Sequence, residues 1–427
     1  MKIELINTGS ELLLGRVLNT HQQWLCRRLS DLGYSVERQV AVPDTGRDIQ
    51  QAVREALGRA ELILVTGGLG PTSDDITREL IAELLGRKLH LDEAVWAGIQ
   101  QFFAARKRLM PAHNELQAMV PEGAAVLANP FGTAPGLAIP VNPNPFRPGG
   151  PAAWLILLPG PPRELRPMFD DLVIPLIRRE FPLTASFVCR TLRSSGVGES
   201  RVQELIAGPL TALVAAGLEV GYCARPGQVD VRLIGHGAAA ETVVRQAEAV
   251  VQGLLGANLY GYDDEEMEAV IVRELTQRKK TLALAESCTG GGIANRITNV
   301  PGASAVFLGG YVTYSNASKA INLGVRPETL AAHGAVSEAV AREMAAGARA
   351  RLGADFARAV TGIAGPTGGS PDKPVGTVYL ALAGEFGIEV RHQVNTWERE
   401  AFKQVTAQQA MELLRRRLAK VTDKIGT

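Results

Sequence analysis

Two short stretches carry residue types that could do chemistry. In Ala285–Gly292, Ser287 ends an apolar run and is followed closely by three glycines. A hydroxyl at that position stands beside free backbone N–H groups, as acyl transfer needs for a nucleophile and an oxyanion hole. Serine without histidine needs another base, and a lysine held neutral by burial can serve. Lys319, closing Tyr311–Lys319, is the candidate. Taken alone, the bland readings are favoured, with Ser287 as a helix N-cap and Lys319 as a solvated loop or helix lysine. Cys288 competes as nucleophile, because a thiol at a helix N-terminus ionises more easily. Ser370-Pro371-Asp372-Lys373 is a literal SxxK, but its Pro/Gly-rich setting rules out the helical i, i+3 relation.

The second stretch is Thr66–Thr77, where Gly67, Gly68 and Gly70 follow an apolar run and precede Ser73, Asp74 and Asp75. Glycine lets N–H groups approach an anion, so the pattern suits a phosphate. Its spacing is neither that of a P-loop nor that of a dinucleotide fingerprint. Asp74 and Asp75 could hold Mg²⁺ against phosphate oxygens; equally, Ser73 and Asp74 could cap a helix. Three further turns join this set: Gly9-Ser10-Glu11, Asn129–Gly136 with Gly132 and Thr133, and Leu158–Glu164 with Gly160.

Positioning such turns requires strands that end at them. Ile3–Ile6, Leu62–Val65 and Trp154–Leu158 read as buried strands, and Thr20–Leu32 as an amphipathic helix between the first two. That order predicts a parallel sheet with helices on both faces, binding ligand at its carboxyl edge. Pro140–Pro151 reads as a surface loop or long hairpin tip. From about Asp171 the texture becomes a small α+β module, with strands Phe187–Leu192 and Val229–Ile234 and helices Glu199–Ile206 and Glu241–Leu255. Beyond Tyr262 the α/β pattern returns: strands Thr281–Ala285, Val306–Val312, Phe356–Thr361 and Gly376–Ala381, and helices Ser337–Leu352 and Arg399–Lys420. The chain of 427 residues therefore divides into 1–170, 171–262 and 263–427.

Composition mainly excludes. Forty-five basic residues against forty-four acidic ones leave a net charge of +1, and aromatics are 5%. Neither a basic nucleic-acid field nor a stacking platform for single strands is supplied. Cys26, Cys189, Cys223 and Cys288 form no CxxC pair, and no HExxH occurs, which argues against a disulfide or zinc framework. With no signal-peptide pattern and no apolar run of spanning length, the expectation is a reduced, cytoplasmic protein without membrane or direct nucleic-acid partners.

The motifs resemble those of the CinA family (competence/damage-inducible protein A). TGSELLLG, GGLGPTSDDIT, the run His113–Gly136 and LPGPPREL are similar to its MoaB/MogA-like, molybdopterin-binding-like domain. His21 stands where that family often has asparagine, and the Pro140–Pro151 loop is long. AESCTGG, YVTYSNASK, HGAVSE, GIAGPTGG and KPVGTV are similar to its C-terminal nicotinamide-nucleotide amidohydrolase domain. The turn Ser195–Ser200 resembles that of its KH-like linker. The resemblance implies an α/β fold in three parts and a bifunctional pyridine-nucleotide salvage enzyme. One activity deamidates nicotinamide mononucleotide, with Ser287 as nucleophile, Lys319 as general base, and Tyr314 and Thr361 orienting the pair. Gly290 and Gly291 would offer N–H groups, and Arg399 would bind the substrate phosphate, although the family's glycine before it is absent. The other activity is a metal-dependent ADP-ribose pyrophosphatase. There Gly67, Gly68, Gly70, Ser73, Gly132, Thr133 and Gly160 would form the cradle, and Glu11, Asp74, Asp75 and Glu164 would hold Mg²⁺ or a similar divalent metal. No cofactor is implied for the amidohydrolase, and a homodimer is implied overall. Rival readings are a partner-binding protein for competence or DNA repair with vestigial sites, and a molybdopterin binder.

Overall fold

A computed structural model describes residues 1–422. The chain divides into two compact units, Met1–Phe187 and Val188–Thr427. The first is built on a six-stranded sheet in the order Val36–Val42, Ile3–Thr8, Leu62–Thr66, Ala153–Leu158, Gly136–Val141, Ala125–Leu127. The first four strands run parallel and the last two are antiparallel. The Pro/Gly/Asn-rich stretch thus connects an antiparallel hairpin whose first strand extends into Pro140 and Val141. The central strands Ile3–Thr8 and Leu62–Thr66 are buried on both faces. This is why they read as continuous apolar runs and not as alternating ones. One face packs on Leu25 and Leu29 of the helix Thr20–Asp31, the other on Val53 and Leu57 of Gly46–Leu57.

The expected break at 170/171 falls inside a helical run. Pro162–Met168, a π-turn Phe169–Val173 and Ile174–Glu180 follow without interruption. Pro167 lies inside this run, where proline disfavours a helix. Phe169, Val173, Ile174 and Ile177, however, are buried in the first unit's core, and burying four such side chains outweighs the local breaker. The first unit therefore extends to Phe187.

The second unit contains two sheets. Residues Phe187–Ser195, Glu219–Arg225, Gln228–His236 and Leu259–Tyr262 form a four-stranded one, backed by helices Glu199–Ala215 and Ala240–Leu255. The other has five strands in the order Phe307–Val312, Leu282–Glu286, Phe356–Gly362, Thr377–Gly384, Gly387–Val394. Its first three are parallel and its last two antiparallel. Helices Met267–Arg278 and Arg399–Thr422 cover one face, and Glu338–Leu352 covers the other. The middle and last segments, on either side of the expected boundary near 262/263, lie in one compact unit. Among the described residues no helix is long and apolar enough to cross a membrane.

Candidate active site

In the second unit the strand Leu282–Glu286 stops at a turn that carries Ser287. Its neighbours in register are Phe356–Gly362, whose Val360 carbonyl accepts from Ser287 N at 3.0 Å, and Phe307–Val312. Ser315 caps the helix Asn316–Leu323 through Ser318 N, and that helix delivers Lys319 beneath the turn. Lys319 is 1% exposed, and its Nζ lies 3.1 Å from Ser287 Oγ, 2.8 Å from Thr313 O and 3.4 Å from Tyr314 O. No carboxylate among the described residues pairs with it. Burial pushes its pKa below the ordinary lysine value. Its three hydrogen-bond contacts are to Ser287 Oγ and to the two carbonyls, and none of them brings a counter-charge.

Ser287, Tyr314, Lys319, Thr361 and Arg399 line one cavity of about 160 Å³. Two of them, Thr361 and Tyr314, differ from the expectation. Thr361 Oγ1 donates to Ala335 O at 2.8 Å and so secures a loop of the wall, not the Ser–Lys pair. Tyr314 contributes its carbonyl to Lys319, while its exposed hydroxyl accepts from Arg399 Nη2 at 3.0 Å. Arg399, also exposed, donates to Gly365 O at 2.8 Å and stands at the cavity rim. The N–H groups of Gly290 and Gly291 are already engaged. Gly290 N donates to Ser287 O, and Gly291 N to Glu286 Oε2.

Glu286 went unread in the sequence. It is 1% exposed, and its carboxylate accepts from Gly291 N, Ile293 N and Ala294 N at 2.8–3.1 Å. It thereby satisfies the first turn of the helix Gly292–Thr298. Its only sequence signal is a charged residue at the end of an apolar strand. Cys288 is buried, and its thiol is pushed up to about 12 by that burial; a thiol so held stays protonated and is no nucleophile. Ser370 and Lys373 lie in an exposed loop, with Lys373 Nζ bound to His333 O.

The first unit splits its expected site. Gly67, Gly68 and Gly160 line a cavity of about 330 Å³ at the carboxyl ends of the central strands, together with Glu11, Asp74 and Asp75. Gly67 and Gly68 have φ of +100° and +66°, and a Cβ on either would collide with Thr8 or Thr77; only glycine fits there. His21 reaches across to Gly160 O, and burial lowers its pKa. Gly70 packs on the Asp75 carboxylate and does not line the cavity. Ser73 is exposed and caps nothing, since the helix starts only at Thr77.

Gly132 and Thr133 line a different and larger cavity of about 680 Å³, walled by Val95, Ile99 and Phe102. Glu164 packs on Gly132 and accepts from Asn129 Nδ2 at 2.8 Å, while Asp75 accepts from Thr72 N at 3.0 Å. Glu164 therefore stands apart from Glu11, Asp74 and Asp75, which share the cavity at the strand ends. Among the described residues no group of three or more His, Cys, Asp or Glu is placed to hold a metal ion.

Comparison with known proteins gives three family matches along the chain. The CinA C-terminal domain matches residues 264–418, a probable molybdopterin binding domain residues 4–179, and the damage-inducible protein CinA KH domain residues 189–261. A CinA-like protein of Akkermansia muciniphila is 46% identical over 413 residues, covering 96% of each chain. A putative competence-damage inducible protein of Symbiobacterium thermophilum is 48% identical over 390 residues, covering 90% of this chain and 89% of its own. Among solved structures, the competence/damage inducible protein CihA from Agrobacterium tumefaciens is 44% identical, covering 35% of this chain and 91% of that one, with a TM-score of 0.33.

Proposed function

Because the chain belongs to the CinA family, we propose that its last segment is an amidohydrolase that converts nicotinamide mononucleotide and water to nicotinate mononucleotide and ammonia. The observation that carries this is the buried Lys319 amine 3.1 Å from Ser287 Oγ, with no carboxylate beside it. Ser287 Oγ attacks the carboxamide carbon while Lys319 Nζ takes its proton. The amide that follows the nucleophile, that of Cys288, serves the oxyanion, while those of Gly290 and Gly291 are engaged elsewhere. As the tetrahedral species collapses, the Lys319 ammonium returns the proton to the leaving nitrogen, and ammonia departs. Water, deprotonated by the same amine, then cleaves the Ser287 ester and restores the pair. The cavity of about 160 Å³ suits one ring, since a cavity of about 150 Å³ admits benzene. The ribose phosphate then lies at the rim, within reach of Arg399.

Ammonia release from nicotinamide mononucleotide by wild type, Ser287→Ala and Lys319→Ala tests the assignment. Undiminished turnover in either variant sinks it.

For the first unit the reading is binding and hydrolysis of ADP-ribose or a similar diphosphate, supported by the glycine-walled cavity at the strand ends. Its lining contains Glu11, Asp44, Asp74 and Asp75 and neither lysine nor arginine. The expected divalent-metal set does not fit these residues as placed, so no step is derived through a metal. Hydrolysis of ADP-ribose with and without added Mg²⁺, in wild type and Asp75→Asn, tests this half. Pterin fluorescence in the purified protein would favour the molybdopterin reading instead.

A further inference from the structure

Two helices begin near the serine–lysine cavity. Gly292–Thr298 follows the Ser287 turn, and Arg399–Thr422 begins with the arginine at the rim. Both are tied to one side chain, Gln408, which is fully buried. Its Oε1 accepts from Arg296 Nη2 at 2.9 Å, on the first helix. Its Nε2 donates to Ser195 Oγ at 3.3 Å, on a strand of the middle segment. Ser195 in turn donates to Gly227 O at 3.2 Å. Gly227, at φ +76°, presses its turn so close to the long helix that a Cβ there would lie 3.4 Å from Gln408 Cβ. Alongside, Arg193 and Arg225 of the middle segment both donate to Glu266, at 2.9 and 3.2 Å.

An apolar seam tolerates sliding, whereas a buried amide with both ends engaged has one low-energy placement. Gln408 lies roughly 13 Å along the helix axis from Arg399, at 1.5 Å per residue. A tilt at Gln408 therefore moves the start of the helix. The Arg399 side chain is exposed, and among the described residues it donates to Gly365 O and Tyr314 Oη. We propose that the middle segment, acting through Gln408, positions Arg399 for the substrate's phosphate. Gln408 is thus a positioning residue of the amidohydrolase, and the middle segment is a working part of it, not a spacer. This inference rests on the amidohydrolase reading above.

The test compares nicotinamide mononucleotide with nicotinamide riboside, which lacks the phosphate, in the full-length chain. Gln408→Leu is expected to raise KM for the mononucleotide about tenfold with kcat within about twofold, and to leave the riboside unchanged. In an Arg399→Ala background the same change is expected to add less than about twofold, since both act on one contact. Ser195→Ala, a milder variant that keeps the fold if Gln408→Leu does not, is expected to raise KM about threefold. Hydrogen exchange of the amides at 399–402 reads the coupling without substrate and is expected to quicken in both variants. An active wild type whose KM is unmoved by Gln408→Leu overturns the inference, as does an equal loss of kcat on both substrates. Unchanged exchange at 399–402 overturns it too. A wild type that releases no ammonia while exchange still quickens counts against the amidohydrolase reading alone.

Discussion

The two units place glycine-bearing turns in the same position, at the carboxyl ends of parallel strands, and differ in what those turns leave unspent. In the second unit one cavity collects Ser287, Lys319 and Arg399. The carbonyls around Lys319 fix its amine without neutralising it. In the first unit the candidate groups are dispersed or already engaged: Asp75 with Thr72, Glu164 with Asn129, and Gly132 and Thr133 in another cavity. A glycine turn at a strand end marks a place where ligands can approach. Chemistry there also needs a reactive group whose hydrogen bonds leave its lone pair free.

The largest expected effect is on the pair itself. Ser287→Ala should lower ammonia release by at least about 10³-fold. Lys319→Met should do the same, because the base acts in both acylation and deacylation. If either retained more than a tenth of the wild-type rate, the contrast between the units would collapse.

Glu286→Ala removes the acceptor for three amides. It should cost about 3 kcal/mol in denaturant unfolding, as the loss of hydrogen bonds to a buried charged group does. A cost under about 1 kcal/mol would mean that the turn holds without it.

Burial alone should not define the site, and Arg358 provides the control. It is 1% exposed with no partner on its guanidinium, and burial, with Arg391 nearby, brings its pKa down to about 9. It lies opposite Leu284 and Leu382 in register. Arg358→Leu is expected to stabilise the protein by about 2 kcal/mol, since it removes an uncompensated buried cation, with ammonia release unchanged. A loss of activity there would extend the site beyond its cavity.

The pH profile sharpens the comparison further. The Lys319 pKa is lowered, so the neutral, active amine appears at lower pH than for an exposed lysine. kcat/KM should rise with pH and level off below the ordinary lysine range. By linkage, the unfolded chain binds more protons at this site over that window, so native stability should rise with pH as well. The smallest effect belongs to Cys288→Ala, expected to change turnover less than about threefold.

Ser287 and Lys319 were legible through the CinA-like motifs that carry them; taken alone, a serine before glycines reads as a helix cap and the lysine as a solvated one. The Thr313 and Tyr314 carbonyls were not legible, since a main-chain acceptor leaves no mark in residue type. The roles of Thr361, Gly290 and Gly291 were misjudged for a related reason. Whether a hydroxyl or an N–H is free depends on Ala335 O and on Glu286, which only the fold brings near. In the first unit, the change of texture near Asp171 suggested a boundary, whereas Val173 and Ile174 beyond it are buried in that unit's core.

Mass analysis of the chain quenched in acid during turnover of nicotinamide mononucleotide bears most directly on the Ser287–Lys319 pair. The expected result is an adduct equal to the substrate less ammonia, on the peptide containing Ser287 and esterified at that residue. Steady ammonia release with no adduct, or an adduct on Cys288, would contradict it.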